Sequence, residues 1–148
     1  MKKQSITSIK KKTSSMVREV IVQYKAMDTE KIQVADPYNV SMFIQRTIGN
    51  DARENVILLC IDNKNTIVGY SLISIGTVSE AVVHPREVFI PAIMTKASGV
   101  IVAHNHPSGT MEPSRQDIET TKRLVEAGKI LGIPVVDHII VGFNNNTM

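Results

Sequence analysis

The longest uninterrupted apolar run in the sequence is six residues long, from Val56 to Ile61. A helix that crosses a bilayer needs about 20 predominantly apolar residues, so we expect neither a membrane span nor a membrane partner. The run belongs instead to a strand-like segment from Asn55 to Asp62. A turn at Asn63-Lys64-Asn65 separates this segment from a second one, Thr66 to Ile75. We therefore predict an antiparallel hairpin.

Helical and strand-like patterns alternate along the rest of the chain. Val20 to Tyr24 is predicted as a first strand, and Asp36-Pro37 as a helix start, with Gly49 ending that helix. Pro85 begins a helix that Pro91 should bend or delay. The remaining predicted elements are a buried strand from Gly99 to Ala103, a polar loop over 105–113, a helix from Ser114 to Leu131 and a strand from Val135 to Val141. The order β-α-β-β-α-β-α-β predicts an α/β domain of three layers.

Charge separates a tail from the body of the chain. Residues 1–25 carry seven Lys/Arg against Glu19 alone, a net charge of +6, whereas the other 123 residues carry −3. We predict a basic, disordered tail over residues 1–15 and a single domain over residues 16–148. A basic, Ser/Thr-rich end is usually just solvated, and weak nucleic-acid contact through it is the less favoured alternative.

The single cysteine and the first residues bear on the cellular compartment. Cys60 has no partner for an internal disulfide, which indicates a reducing, cytoplasmic environment. Lys2 and Lys3 are followed by polar residues rather than an apolar core, so we expect no secretory signal. The sequence does not indicate an oligomeric state.

The segment with the most chemical information is His104-Asn105-His106-Pro107, followed by Ser114-Arg115-Gln116-Asp117. Side chains alternate in an extended segment, so His104 and His106 should point the same way from the carboxyl end of a buried strand. Two imidazoles and a carboxylate leave a fourth coordination position free for water, which is the arrangement that catalytic zinc requires.

Each of these residues also has a purely structural interpretation. Ser114 followed three residues later by Asp117 is a capping-box pattern, and the two roles are compatible if Ser114 caps the helix while Asp117 faces a metal. His84 precedes a helix and is interpreted as structural. His138 lies within an apolar strand, and we interpret it as structural or as a partner of a metal ligand.

These residues resemble the JAMM signature of the JAB/MPN metallopeptidases, in which two histidines are followed by a serine and an aspartate. The chain resembles the RadC branch most closely, through His84-Pro85-Arg86-Glu87, the segment from His104 to Gly109, Pro113-Ser114 and Asp137-His138-Ile139-Ile140. The resemblance runs from about Asp36 to Gly142. It implies a mixed sheet between helix layers, an α-β-α architecture related to the cytidine-deaminase fold.

The resemblance also implies roles for individual residues. His104, His106 and Asp117 would bind Zn²⁺, and Ser114 would donate a hydrogen bond to the developing oxyanion. An upstream glutamate would act as the general base. Arg53-Glu54-Asn55 resembles the family segment that carries it, so Glu54 is the preferred base and Glu87, at a helix start, is the reserve base. His138 is a reserve candidate for the site. The implied activity is hydrolysis of peptide or isopeptide bonds in an unidentified protein substrate.

Three other functions share part of this residue pattern. A non-haem iron oxygenase also uses two histidines and one carboxylate, but Glu54 and the spacing favour hydrolysis. A nucleobase deaminase would need paired cysteines, which this sequence lacks. A DNA-repair-associated or scaffold protein of the RadC family with a non-catalytic metal site is the main alternative. Longer RadC proteins carry an N-terminal helix-hairpin-helix region, and the roughly 35 residues before Asp36 are too few for it.

Overall fold

The structure, a computed structural model, describes residues 16–76 and 83–143. Within these residues, regular structure begins at Ile32 and follows the predicted order of elements. The strands are β1 (Ile32–Gln33), β2 (Glu54–Ile61), β3 (Thr66–Gly76), β4 (Gly99–His106) and β5 (Val135–Gly142). The helices are α1 (Pro37–Ile44), which continues into a π-helical turn at Gln45–Gly49, α2 (Pro85–Met94) and α3 (Arg115–Leu131). The predicted tail over residues 1–15 lies outside the described residues.

The five strands form one mixed sheet in the order β1-β3-β2-β4-β5. The β2–β3 hairpin is antiparallel, as predicted, and β4 pairs antiparallel with β2 but parallel with β5. At the hairpin turn, the Asp62 carboxylate accepts hydrogen bonds from the backbone N–H groups of Lys64 and Thr66. Asn65 takes the positive φ of 59° that closes the turn, a conformation that asparagine tolerates better than most residues.

Alternation along β2 and β4 divides the hydrophobic core into two layers. One face packs against α1, and the other packs against α2 and α3. The α1 side includes Ile44, Ile57, Leu59, Ile101 and Ala103. The α2–α3 side includes Leu58, Phe89, Val100, Val102 and Leu124. Because helices cover both faces, the predicted three-layer α-β-α mixed sheet is confirmed, and it agrees with the architecture that the resemblance implies.

Helix α3 begins and ends at residues that the sequence pattern identifies. Ser114 Oγ accepts a hydrogen bond from Asp117 N at 3.0 Å, and Asp117 Oδ2 accepts one from Ser114 N at 2.8 Å, so the predicted capping box is confirmed. Gly132 ends the helix in the left-handed region, at φ 71°. Within α3, Gly128 lies so close to the backbone of Ile133 that a Cβ would meet its carbonyl oxygen at 2.5 Å.

Two predicted elements need correction. Val20 to Tyr24 is not a strand, because these residues lie in a segment without regular structure, and Val20 is 84% exposed. A segment with strand propensity forms a strand only where a neighbouring strand offers backbone hydrogen bonds. On this side of the sheet, β3 pairs only with Ile32 and Gln33 of β1, so Val20 to Tyr24 has no neighbouring strand among the described residues. The fourth strand runs to His106 rather than ending at Ala103. The loop that follows it is correspondingly shorter.

The described parts of the chain contain no helix with both the length and the apolar character that crossing a membrane requires.

Candidate metal centre

Strand β4 brings two histidines to the same face of the sheet. His104 and His106 are two residues apart, and their Nε2 atoms lie 2.7 Å from each other. Both are buried, with 2% and 9% of their surface exposed, because β5 continues to pair with β4 as far as His106. The predicted strand ends at Ala103 and the predicted loop begins at residue 105, so these two bounds are wrong. The two histidines are held in the sheet itself.

Helix α3 supplies a carboxylate to these two rings. Asp117 Oδ2 lies 3.1 Å from His106 Nε2 and 3.4 Å from His104 Nε2. Partial burial raises the pKa of Asp117, but the hydrogen bond from the Ser114 N–H and the two nearby imidazoles outweigh it, so the net pKa is below its usual value. The capping box therefore holds an ionised carboxylate against the histidines. The capping role of Asp117 is therefore compatible with the predicted metal-facing role.

Glu54, the first residue of β2, completes the cluster. One ligand atom from each of Glu54, His104, His106 and Asp117 can be chosen so that all four lie within 4.8 Å of one another. Glu54 Oε2 is the one buried side-chain polar atom of the described residues that lacks a hydrogen-bond partner. Burial raises the pKa of Glu54, and the Asp117 carboxylate adds to that rise against the opposing effect of His106.

The other candidate glutamate lies elsewhere. Glu87 is exposed in the first turn of α2, where its charge complements the helix dipole, and it is not a member of the four-residue cluster. Nothing in the sequence alone distinguishes the two carboxylates by their distance from the histidines. The antiparallel pairing of β2 with β4 decides it, because that pairing places the start of β2 beside the end of β4.

Sequence reasoning missed Asn105, which lies between the two histidines and points to the opposite face. The β2–β4 ladder stops at the pair Val56–His104, although both strands continue. Beyond that pair, Asn105 Oδ1 accepts from Asn55 N at 2.6 Å, and Asn105 Nδ2 donates to the carbonyls of Arg53 and Asp51 at 2.9 and 3.2 Å. An asparagine inside a buried strand is the signal that identifies such a residue, since its amide must find partners.

Asn105 connects the ends of β2 and β4 where their backbone pairing has stopped. Asn105 bonds the backbone on both sides of Glu54, so the side chain replaces the missing ladder and holds the start of β2 at a fixed place beside β4. Glu54 and His106 lie beyond the last backbone pair of β2 and β4, and their side chains belong to the same cluster. Asn105 itself is completely buried.

The donor set fits a divalent cation. His106 Nδ1 lies 2.7 Å from the carbonyl oxygen of Thr110, which can only accept, so the ring carries its proton on Nδ1 and presents a lone pair at Nε2. Burial lowers the pKa of His104 to about 4, so that ring is neutral at pH 7. A neutral His104, the Nε2 lone pair of His106, an ionised Asp117 and an unpartnered Glu54 oxygen form a cluster dominated by acceptors. Two imidazoles and carboxylates are the ligands typical of a catalytic zinc site.

A cleft gives access to this cluster. It has a volume of about 650 Å³, and Glu54, His106 and Ser114 contribute to its wall. Arg53 and Glu112 also line it, together with Gly76 at the end of β3. Ser114 therefore lies both at the helix cap and at the cleft, as its two predicted roles require. His138, on β5, lies behind the cluster, with Nε2 2.7 Å from His104 Nδ1.

Comparison with known proteins gives a consistent result. The family model of the RadC-like JAB domain matches residues 34–148. The chain is 48% identical over 109 residues to a UPF0758 protein of Rubrobacter xylanophilus, covering 74% of this chain and 48% of the relative. It is 44% identical over 116 residues to one of Methanosarcina barkeri (78% and 51%) and 47% identical over 122 residues to one of Finegoldia magna (82% and 54%). The chain thus spans about half the length of these relatives, whose names state no activity.

Proposed function

The chain belongs to the RadC-like JAB domain family, and on that basis we propose that it is a zinc-dependent hydrolase of peptide or isopeptide bonds. The observation that carries the proposal is the convergence of His104 Nε2, His106 Nε2 and Asp117 Oδ2 beside a buried, unpartnered oxygen of Glu54. Acceptors gathered in this way at the wall of a cleft are suited to a cation with one position open to water.

His104, His106 and Asp117 would hold the Zn²⁺ ion. When bound there, the cation supplies a Lewis acid that polarises a carbonyl oxygen and lowers the pKa of water to about 7.

Glu54 acts as the general base. Its carboxylate accepts a proton from the attacking water and later delivers that proton to the nitrogen of the leaving amine, so the amide bond breaks into a carboxylate and an amine. A raised pKa suits both steps, because a carboxyl group that titrates closer to neutrality is a better base and a competent acid. The freedom of Oε2 from hydrogen bonds among the described residues leaves that oxygen available for the transfer.

Ser114 stabilises charge on the attacked group. Its Oγ accepts a hydrogen bond from Asp117 N, so the hydroxyl proton remains available for donation to an oxygen in the cleft. A hydrogen bond donated to the developing oxyanion is strongest in the transition state and therefore increases the rate rather than substrate affinity.

The test pairs two glutamate variants with a chelator control. The metal-loaded protein is screened against peptide libraries and ubiquitin-like isopeptide conjugates, and any activity must disappear with chelator. Glu54→Gln should keep its zinc and lose hydrolysis by about 10²–10⁴-fold, the usual effect of losing a general base. Glu87→Gln, a change of the same kind at an exposed helix start, should hydrolyse as the wild type does.

Four outcomes would contradict the proposal. A protein that binds no zinc lacks the site altogether. Chelator-resistant hydrolysis would show that the reaction occurs elsewhere. An active Glu54→Gln together with an inactive Glu87→Gln would transfer the base to Glu87. A zinc-bound protein that cleaves none of these substrates would instead favour a non-catalytic metal site.

A further inference from the structure

A chain of hydrogen bonds behind the cluster connects two of the residues that would bind the metal. His104 Nδ1 lies 2.7 Å from His138 Nε2, and His138 Nδ1 lies 2.5 Å from the hydroxyl of Thr121. The Thr121 hydroxyl in turn lies 2.7 Å from the backbone carbonyl oxygen of Asp117. The chain begins at one ligand, passes through β5 and α3, and ends at the residue that supplies another.

The Asp117 carbonyl, at the end of this series of hydrogen bonds, determines which atom is the donor in each of them. The Asp117 carbonyl can only accept, so the Thr121 hydroxyl must donate to it. The Thr121 oxygen is then left to accept, and His138 Nδ1 must carry a proton. A neutral His138 then accepts at Nε2, which requires a proton on His104 Nδ1.

The consequence appears at the opposite side of the His104 ring. With its proton on Nδ1, a neutral His104 presents a lone pair at Nε2, the atom that faces His106 and Asp117. The Thr110 carbonyl imposes the same tautomer on His106 from a separate direction. Each histidine thus has its own backbone carbonyl that sets which nitrogen is free to bind a cation.

We propose that Thr121 and His138 are positioning residues, which fix the tautomer and orientation of the His104 ring and thereby set the affinity of the cluster for a divalent cation. This inference rests on the metal-binding part of the proposed function and is independent of hydrolysis.

A purely structural interpretation accounts for only part of the arrangement. Threonine hydroxyls in helices commonly bond the carbonyl four residues earlier, so the Thr121–Asp117 contact alone would mean little. That habit does not explain why the same oxygen also meets His138 Nδ1, on another element, or why the other nitrogen of His138 meets His104. Partners that orient metal-binding histidines in this way typically change metal affinity about 10–100-fold when they are removed.

The test compares Thr121→Val with Thr121→Ser in the full chain. Valine keeps the size and branching of threonine without the hydroxyl, whereas serine keeps the hydroxyl. Each protein is stripped with chelator, and its affinity for Zn²⁺ is measured by competition with a chromophoric chelator. We expect Thr121→Val to bind Zn²⁺ about 10-fold or more weakly and Thr121→Ser to stay within about threefold of the wild type.

A second measurement reads the tautomers without any metal. Imidazole ¹⁵N NMR of the stripped wild type should show the proton of His104 and of His138 on Nδ1, and Thr121→Val should shift His104 toward the other tautomer. The free energy of unfolding of each variant is also measured in urea. A merely structural role would lower this stability without changing the tautomer or the Zn²⁺ affinity.

The results that would overturn the inference are distinct from those that concern catalysis. A wild-type His104 with its proton on Nε2, or a Thr121→Val protein with unchanged Zn²⁺ affinity, would refute the positioning role. A wild type that fails to bind Zn²⁺ would refute both this inference and the proposed function. A wild type that binds Zn²⁺ without hydrolysing any substrate would remove the hydrolase alone.

Discussion

Replacing Asn105 with alanine should destabilise the protein more than an ordinary polar substitution. The amide makes four hydrogen bonds: its Oδ1 accepts from Asn55 N and, at 3.5 Å, from Asn55 Nδ2, and its Nδ2 donates to the carbonyls of Arg53 and Asp51. A typical intramolecular hydrogen bond contributes about 0.5–1.5 kcal/mol, and an unsatisfied buried group costs about 1–3 kcal/mol. Asn55 is buried, whereas the loop before it is more open to water, so we expect a loss of about 2–4 kcal/mol in the free energy of unfolding.

Urea unfolding followed by circular dichroism measures this loss. The proteins are kept in chelator so that bound metal does not contribute to stability. With an m-value of about 2 kcal/mol/M, the unfolding midpoint should fall by about 1–2 M. Asn63→Ala, at an exposed position in the hairpin turn, is the control and should stay within about 0.5 kcal/mol of the wild type. If Asn105→Ala matched that control, the amide would not hold the ends of β2 and β4 together.

Three further predictions concern pH, packing and metal. Between pH 7 and pH 5, His104 should lower the stability of the metal-free protein by about 2 kcal/mol, because it takes up a proton in the unfolded chain near pH 6.5 but in the folded chain only near pH 4. In urea unfolding at both pH values, the pH dependence of His104→Gln should be smaller than that of the wild type by about this amount, and an equal dependence would contradict the prediction. Gly128→Ala should lower the free energy of unfolding in urea by about 1–3 kcal/mol, because the added Cβ would meet the Ile133 carbonyl oxygen. A gain of about 1 kcal/mol, which is usual for this change in a helix, would show that the backbone moves to make room. Zn²⁺ at 100 times its dissociation constant should stabilise the stripped wild type by about 2.7 kcal/mol in thermal unfolding; His106→Ala should abolish the shift, and a shift that persists would place the metal elsewhere.

Local patterns in the sequence were sufficient for most of the fold. The hairpin, the cap at Asp36 and the start and end of α3 depend on neighbouring residues, through turn geometry, capping and the period of apolar side chains. The pairing of His104 with His106 is also local, because residues two apart in a strand share a face. These features are encoded within a few residues, so they can be predicted without knowing what surrounds them.

The tertiary structure decided what depends on distant partners. The predicted strand at Val20 to Tyr24 has β propensity but no ladder, whereas β4 extends to His106 because β5 pairs with it to its end. Which glutamate lies beside the histidines follows from the pairing of β2 with β4, across about fifty residues of sequence. The partners of Asn105 and His138 are likewise on other elements. Burial obliges polar side chains to find hydrogen-bond partners, but only the folded arrangement of strands and helices determines which partners are within reach.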